Sequence, residues 1–220
     1  MVYLDMKKYI SLYAILLFII PAVTLLICLE IHVLFYELDS IPFIDGKVSV
    51  SLIGRQEKTI IIFRTGLFLY AVISVLFYLS ISRFLLSKNV VNKFKILGLL
   101  ANFFLCVYLF SLGEQDYFYE VSRRISITIF ISLIYINHIY LIKVLNFLMH
   151  KKKIYLKPLY LKTFITVILL MTILVVVGLP WVNPLFKYPD QLKNIVEWNL
   201  LLLTILFYIP VYLLFRNLKN

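Results

Sequence analysis

Six runs of apolar residues, separated by short polar gaps, dominate this chain. Each run is at least 18 residues long and contains no Asp, Glu, Lys or Arg. A helix of about 20 apolar residues crosses a hydrocarbon core roughly 30 Å thick. Because backbone polar groups must be satisfied inside the bilayer, each run predicts a membrane-spanning helix. The six runs are 9–29, 65–82, 96–113, 125–142, 163–186 and 198–215.

The gaps between the runs are too short to hold a separate soluble domain. None of them exceeds about 35 residues, which is less than an independently folding catalytic module needs. The sequence therefore predicts one all-α domain over residues 1–220, built as a single bundle of six transmembrane helices.

The balance of basic and acidic residues alternates from one gap to the next. The two ends of the chain and the second and fourth gaps hold 14 basic residues and one acidic residue. The other gaps hold 8 basic residues and 10 of the 11 acidic ones. Because cytoplasmic loops are enriched in Lys and Arg, we expect both termini in the cytosol and the first, third and fifth gaps on the luminal or exterior side. The net charge of +11 thus indicates topology, and no nucleic-acid partner is expected.

Several kinds of site have little support in the sequence. Cys28 and Cys106 both lie in apolar runs, where cysteine usually behaves as a small hydrophobe. The three histidines show no metal-ligand spacing, and no glycine-rich nucleotide motif or nucleophile elbow is present. We therefore expect no metal and no cofactor.

Charged residues gather at the luminal ends of the predicted helices. They are Glu30, Arg64, Arg123, Arg124 and Glu197. Charged groups at membrane depth are costly and usually face the bundle or a wet cavity. Arginine binds phosphate bidentately and carboxylates accept sugar hydroxyls, so the group suits a phosphorylated or glycosylated lipid head. The alternative is helix capping and snorkelling to the headgroup layer.

His138, beside Asn137, falls inside the fourth run. It is a candidate general base or a partner for a lipid hydroxyl. The more common role of such a residue is an interhelical hydrogen bond, which we favour from the sequence.

Four short motifs follow one another along the chain. They are Pro21 in the first run, Pro42 followed by Ser49-Val-Ser-Leu-Ile-Gly54 and Phe63-Arg64, the stretch from Ser111 to Glu120, and Glu197-Trp198 followed by Phe207. In order and spacing they resemble the six-span Frag/DRAM/Sfk superfamily. The closest branch is the post-GPI-attachment-to-proteins factor two branch, which acts in remodelling the lipid of GPI anchors.

The resemblance implies reacylation of a lyso-GPI lipid in the Golgi or endoplasmic reticulum. The expected partners are membrane lipid, GPI-anchor lipid or GPI-anchored proteins, and partner membrane proteins. Of the matched residues, Arg64 is the candidate for the lipid phosphate. The candidate substrate-binding residues are Ser51, Gly54, Arg64, Arg124 and Glu197, and the candidate catalytic residues are Glu120 and His138.

The chain departs from the family where histidines are expected, because Tyr119 and Tyr208 stand at two such positions, and Tyr36 stands where the family often has a third histidine. Tyrosine is a poor general base at neutral pH, since a phenol ionises only near about pH 10. The alternative function is therefore a non-enzymatic lipid-sensing or regulatory protein of the same superfamily, in lysosomal or plasma membranes. A small-solute transporter is disfavoured because the centres of the runs are almost entirely apolar.

Overall fold

A computed structural model describes residues 2–36, 41–90, 93–114, 116–151, 154, 158–177 and 189–218. Every regular element in these residues is a helix, which confirms the predicted all-α class. In the described part of the chain the helices are α1 (Val2–Tyr36), α2 (Pro42–Asp45), α3 (Val50–Gly54), α4 (Ile60–Ser87), α5 (Phe94–Ser111), α6 (Tyr117–His150), α7 (Pro158–Val177), α8 (Pro189–Leu206) and α9 (Tyr208–Asn217).

Five helical stretches among the described residues are long and apolar enough to cross a membrane, as expected of a multi-pass membrane protein. They are Met6–Phe35, Ile60–Ser87, Phe94–Ser111, Tyr117–His150 and Asp190–Asn217, the last of which combines α8 and α9. A shorter apolar helix, Lys162–Val176, lies within α7. The predicted run 163–186 continues beyond Val177 into residues outside the described ranges, so a sixth span stays a prediction.

The long helices pack as a ring. Helix α1 packs against α4 and α9, α4 against α5, and α5 against α6, while α7 contacts both α6 and α8. The start of α1 and the end of α9 meet, because the Lys7 ammonium donates to the Leu218 carbonyl at 3.1 Å. Both ends of the described chain therefore lie at the same end of the bundle.

Residues 41–59, which we call the cap segment, cover the other end of the bundle. Three side chains of α8 donate to its backbone carbonyls: Asn194 to Gly46 at 2.8 Å, Trp198 to Val48 at 2.8 Å and Asn199 to Phe43 at 2.9 Å. The Trp198 ring is buried and lies 5.0 Å from the Phe43 ring. These contacts hold the cap segment on α8.

The backbone at Gly46 allows this docking. Its φ of 62° lies in the left-handed region, and a Cβ added there would lie 2.0 Å from the Gln191 carbonyl oxygen. We expect Gly46→Ala to lose at least about 1 kcal/mol of stability, since a side chain in this conformation is strained before any clash is counted. Thermal unfolding in detergent micelles, followed by circular dichroism, measures the loss. Lys47→Ala at the exposed neighbouring position is the control, and equal melting temperatures for the two variants would contradict the role of Gly46.

The last long stretch lacks one helical hydrogen bond inside the bundle. Helix α8 ends at Leu206 and α9 begins at Tyr208, while Phe207 between them keeps helical backbone angles and donates to the Leu203 carbonyl at 3.0 Å. Pro210 carries no N–H, so it cannot complete the helical hydrogen bond to the Leu206 carbonyl. The missing hydrogen bond therefore has a local cause in the sequence.

Candidate functional site

A cavity of about 400 Å³, which we call the cap-end cavity, opens between the cap segment, α6 and α8. Its lining residues are Ser49, Ser51, Arg55, Tyr108, Glu120, Arg123, Arg124, Ile127, Thr128, Ile131, Lys193, Asn194 and Glu197. Four of these side chains are basic and two are acidic, which leaves a surplus of two positive charges. The cavity is therefore suited to an anion that also carries hydroxyl groups.

Four of the seven predicted site residues meet in this cavity. They are Ser51 from α3, Glu120 and Arg124 from the start of α6, and Glu197 from α8. Apart from the neighbouring pair Glu120 and Arg124, these residues are far apart in the chain, and the docking of the cap segment on α8 brings Ser51 close to Glu197. The three others, Gly54, Arg64 and His138, are not among its lining residues.

Glu197 links the cavity to the cap segment. Its carboxylate lies against the backbone N–H groups of Val50 and Ser51 at the start of α3, and it faces the positive charge of Lys193. The Ser49 and Ser51 hydroxyls lie 3.2 Å apart on the same turn. Glu197 therefore positions α3, and with it the two serines, at the cavity wall.

Arg123 and Arg124 have different roles. Arg123 donates to the carbonyls of Ser111 and Glu114, at 2.9 and 2.7 Å, so it holds the connection between α5 and α6. Arg124 forms an exposed ion pair with Glu120 at 2.5 Å. The carboxylate of Glu120 thus already has a cationic partner one helical turn away.

The remaining cations of the cavity are more available to a ligand. The side chains of Arg55 and Lys193 are exposed, and they approach the cavity from the cap segment and from α8. An anion between them would be held from two sides of the opening.

A narrow apolar slot of about 50 Å³ adjoins the cavity. The two share Tyr108, Ile127, Ile131 and Glu197 as lining residues. Beyond these the slot is lined by Pro21, Leu25, Val50, Phe63, Leu67, Tyr70, Leu105, Phe130, Leu201, Thr204 and Ile205. A charged cavity beside an apolar slot matches an amphipathic ligand, with its polar head in the cavity and a hydrocarbon chain in the slot.

Gly54 and Arg64 lie near the cavity without facing it. At Gly54 an added Cβ would lie 2.8 Å from the Phe63 ring, so the glycine lets α3 approach α4 closely. Arg64 donates to the Leu112 carbonyl and lines a different cavity, of about 340 Å³, together with Phe68 and other residues. The guanidinium of Arg64 therefore contacts the α5–α6 connection rather than the cap-end cavity.

His138 is buried in the bundle, with 2% of its surface exposed. Its ring stacks on Phe207, with the centroids 3.7 Å apart. Glu120 lies on the same helix 18 residues earlier, which places the two residues about 27 Å apart. Both are candidate bases from the sequence, but they cannot act on one reacting atom.

Several residues of the cavity were not singled out from the sequence, notably Ser49, Arg55, Tyr108, Lys193 and Asn194. Three of them carried a signal in the sequence, the first being Ser49, which belongs to the best-matched motif. Arg55 directly follows Gly54 of the best-matched motif, and Lys193 precedes Glu197 by four residues, which places them on one helix face. Nothing local in the sequence indicates that the cap segment docks on α8.

No group of three or more His, Cys, Asp or Glu suited to a metal ion occurs among the described residues. Comparisons of the chain with models of protein families, with curated proteins and with solved structures found no match. The function is therefore inferred from the geometry of the cap-end cavity and from the motifs in the sequence.

Proposed function

We propose that this protein binds a phosphorylated glycolipid at the cap-end cavity and takes part in remodelling the lipid of GPI anchors. The observation that carries the proposal is that a cavity with surplus positive charge and an apolar slot lie side by side and share four lining residues. A GPI-anchor lipid has both parts, a phosphate with sugar hydroxyls and hydrocarbon chains.

The lining chemistry matches the head group. Arg55 and Lys193 provide cations for the phosphate, and charge-assisted hydrogen bonds are the stronger kind. The Ser49 and Ser51 hydroxyls and the Asn194 amide provide neutral partners for sugar hydroxyls. The first carbons of a hydrocarbon chain would enter the slot beside Glu197.

The proposed topology places this cavity on the side where GPI anchors are found. The Lys7–Leu218 contact lies at the end of the bundle opposite the cap segment. With six spans and the chain termini in the cytosol, as the positive-inside rule favours, the cap end faces the lumen of the Golgi or endoplasmic reticulum. A GPI-anchored protein or a partner membrane protein would then approach from the lumen or through the bilayer.

Removing both exposed cations should weaken binding of an anionic lipid. We expect Arg55→Gln combined with Lys193→Gln to bind fluorescent phosphatidylinositol about tenfold more weakly, since losing charged hydrogen bonds at an exposed site removes on the order of 1.4 kcal/mol. The measurement is a titration of the purified protein in uncharged detergent at low salt. Arg83→Gln combined with Lys95→Gln changes net charge equally at exposed positions outside the cavity, and equal affinities for the two double variants would contradict the proposed head site.

The second candidate is a lipid-sensing or regulatory protein without acyl-transfer activity, in lysosomal or plasma membranes. Two observations favour it: Glu120 is already paired with Arg124, and His138 is buried away from the cavity. Expression in cells that lack their own GPI-remodelling factor distinguishes the candidates, with the anchor lipids analysed by mass spectrometry. Restored saturated chains would support remodelling, whereas unchanged lipids with correct localisation of the protein would support the regulatory function.

A further inference from the structure

A group of polar side chains lies inside the bundle, away from the cap-end cavity. We call it the interior polar cluster, and it consists of Tyr70, Tyr78, Asn137, His138 and Tyr208. The hydroxyls of Tyr70 and Tyr208 lie 3.4 Å apart. The hydroxyl of Tyr78 faces Tyr208 and the Asn137 side chain, and the His138 ring meets the Tyr208 ring edge-on at 5.5 Å. The cluster therefore joins α4, α6 and α9.

Most of the polar atoms in this cluster have no hydrogen bond from the described residues. These atoms are the Tyr78 hydroxyl, both polar atoms of the Asn137 amide and both ring nitrogens of His138. The three residues are only 1–3% exposed. A buried polar atom without a partner costs free energy, and in native proteins such atoms are usually bonded to ordered water or another guest.

Pro210 in the last span leaves a further acceptor nearby. Because Pro210 cannot donate, the Leu206 carbonyl lacks its usual helical partner, two residues before Tyr208. Proline within membrane helices is tolerated where water or side chains satisfy the freed backbone groups. The unpaired side chains and the Leu206 carbonyl therefore all need a hydrogen-bond partner in the same part of the bundle.

The chemistry of the cluster selects the kind of guest. It contains donors and acceptors together, in the amide of Asn137 and the tyrosine hydroxyls, so a guest must both donate and accept. It contains no Asp or Glu side chain to balance a cation in a low-dielectric interior. A hydroxyl group meets both conditions. The apolar slot reaches Tyr70, which gives the cluster a connection to the cap-end cavity.

We propose that the interior polar cluster is a binding site for a small hydroxyl-bearing guest, which bridges Tyr78, Asn137 and Tyr208. The guest is either water or the free hydroxyl of a lipid such as a diacylglycerol. This site is independent of the function proposed for the cap-end cavity, because none of its unpaired side chains lines that cavity.

Solid-state NMR of the protein in phosphatidylcholine vesicles tests the site. Phosphatidylcholine carries no free hydroxyl, so transfer of magnetisation from water to the Asn137 side-chain amide identifies bound water. Transfer seen only to added diacylglycerol, through its hydroxyl, identifies the lipid as the guest. Either transfer supports the site, and the absence of both overturns it. The Asn137→Leu variant assigns the signal, since the correct amide peak is missing from its spectrum.

Thermal unfolding of Asn137→Leu gives a second test. The melting temperature is expected to change in opposite directions depending on whether a guest satisfies the Asn137 amide. If a guest satisfies the amide, leucine removes those hydrogen bonds and the melting temperature falls. If the amide is unpaired, leucine removes a buried unsatisfied group and the melting temperature rises, which overturns the proposal. Asn146→Leu, at a half-buried position on the same helix, is the matched control.

Discussion

Trp198→Ala is expected to cause the largest loss of stability of any substitution considered for this protein. The indole is 1% exposed, packs against Phe43 and donates to the Val48 carbonyl at 2.8 Å. Removing a buried tryptophan side chain typically costs about 3–5 kcal/mol, because the transfer energy is lost and a cavity remains. Since the same side chain holds the cap segment on α8, the cap-end cavity should lose its wall as well. Thermal unfolding by circular dichroism and limited proteolysis within residues 41–59 measure the two effects.

Trp198→Phe separates the hydrogen bond from the packing. Phenylalanine retains most of the buried ring but cannot donate to Val48, so the expected loss is smaller than for alanine. We expect proteolysis of the cap segment to rise strongly for alanine and only slightly for phenylalanine. Equal losses in the two variants would assign the effect to the indole N–H, and no loss in either would contradict the docking of the cap segment on α8.

Leu201→Trp is expected to weaken binding of a lipid by excluding its chain from the apolar slot. Leu201 is half-buried and lines the apolar slot, so a larger ring there would fill the space that a chain needs. Each buried methylene contributes about 0.8 kcal/mol, and excluding the roughly two that a slot of about 50 Å³ can hold would weaken binding by about 1.6 kcal/mol, roughly fifteenfold. Titration with fluorescent phosphatidylinositol measures this loss.

The neighbouring residue provides the matched control. Leu202 is 38% exposed and does not line the slot, so Leu202→Trp adds the same volume without blocking a chain. Glycerophosphoinositol, which has the head group but no chains, should bind both variants as it binds the unaltered protein. If Leu201→Trp also lost this ligand, or bound phosphatidylinositol normally, the slot would not be the chain site. Unchanged circular dichroism spectra for both variants exclude misfolding as the cause.

The positions of the long helices could be predicted from local composition. The apolar run 65–82 lies within α4, the run 96–113 almost coincides with α5, and the run 198–215 lies within the stretch Asp190–Asn217. This succeeded because an apolar run long enough to cross a bilayer has few other stable conformations. The missing hydrogen bond at the Leu206 carbonyl could also have been anticipated, since Pro210 cannot donate to the helix.

The candidate site could be predicted only in part. Arg124 and Glu197 were identified because charges at helix ends are visible in the sequence, and Ser51 and Glu120 because of their motifs. Arg64 satisfied the same criteria, yet its side chain contacts the Leu112 carbonyl instead. The side to which a long flexible side chain turns depends on neighbours that are distant in the chain.

The sequence by itself determined the helical class, the membrane-compatible spans and the alternation of charge along the gaps, because hydropathy and charge are properties of contiguous residues. Only the tertiary structure decided which charges converge. The cap-end cavity combines α3, α6 and α8, and it exists because Asn194, Trp198 and Asn199 bind the cap segment about 150 residues away along the chain. Such contacts depend on how helices pack and on where a loop finds its hydrogen-bond partners, and no local pattern encodes either of them.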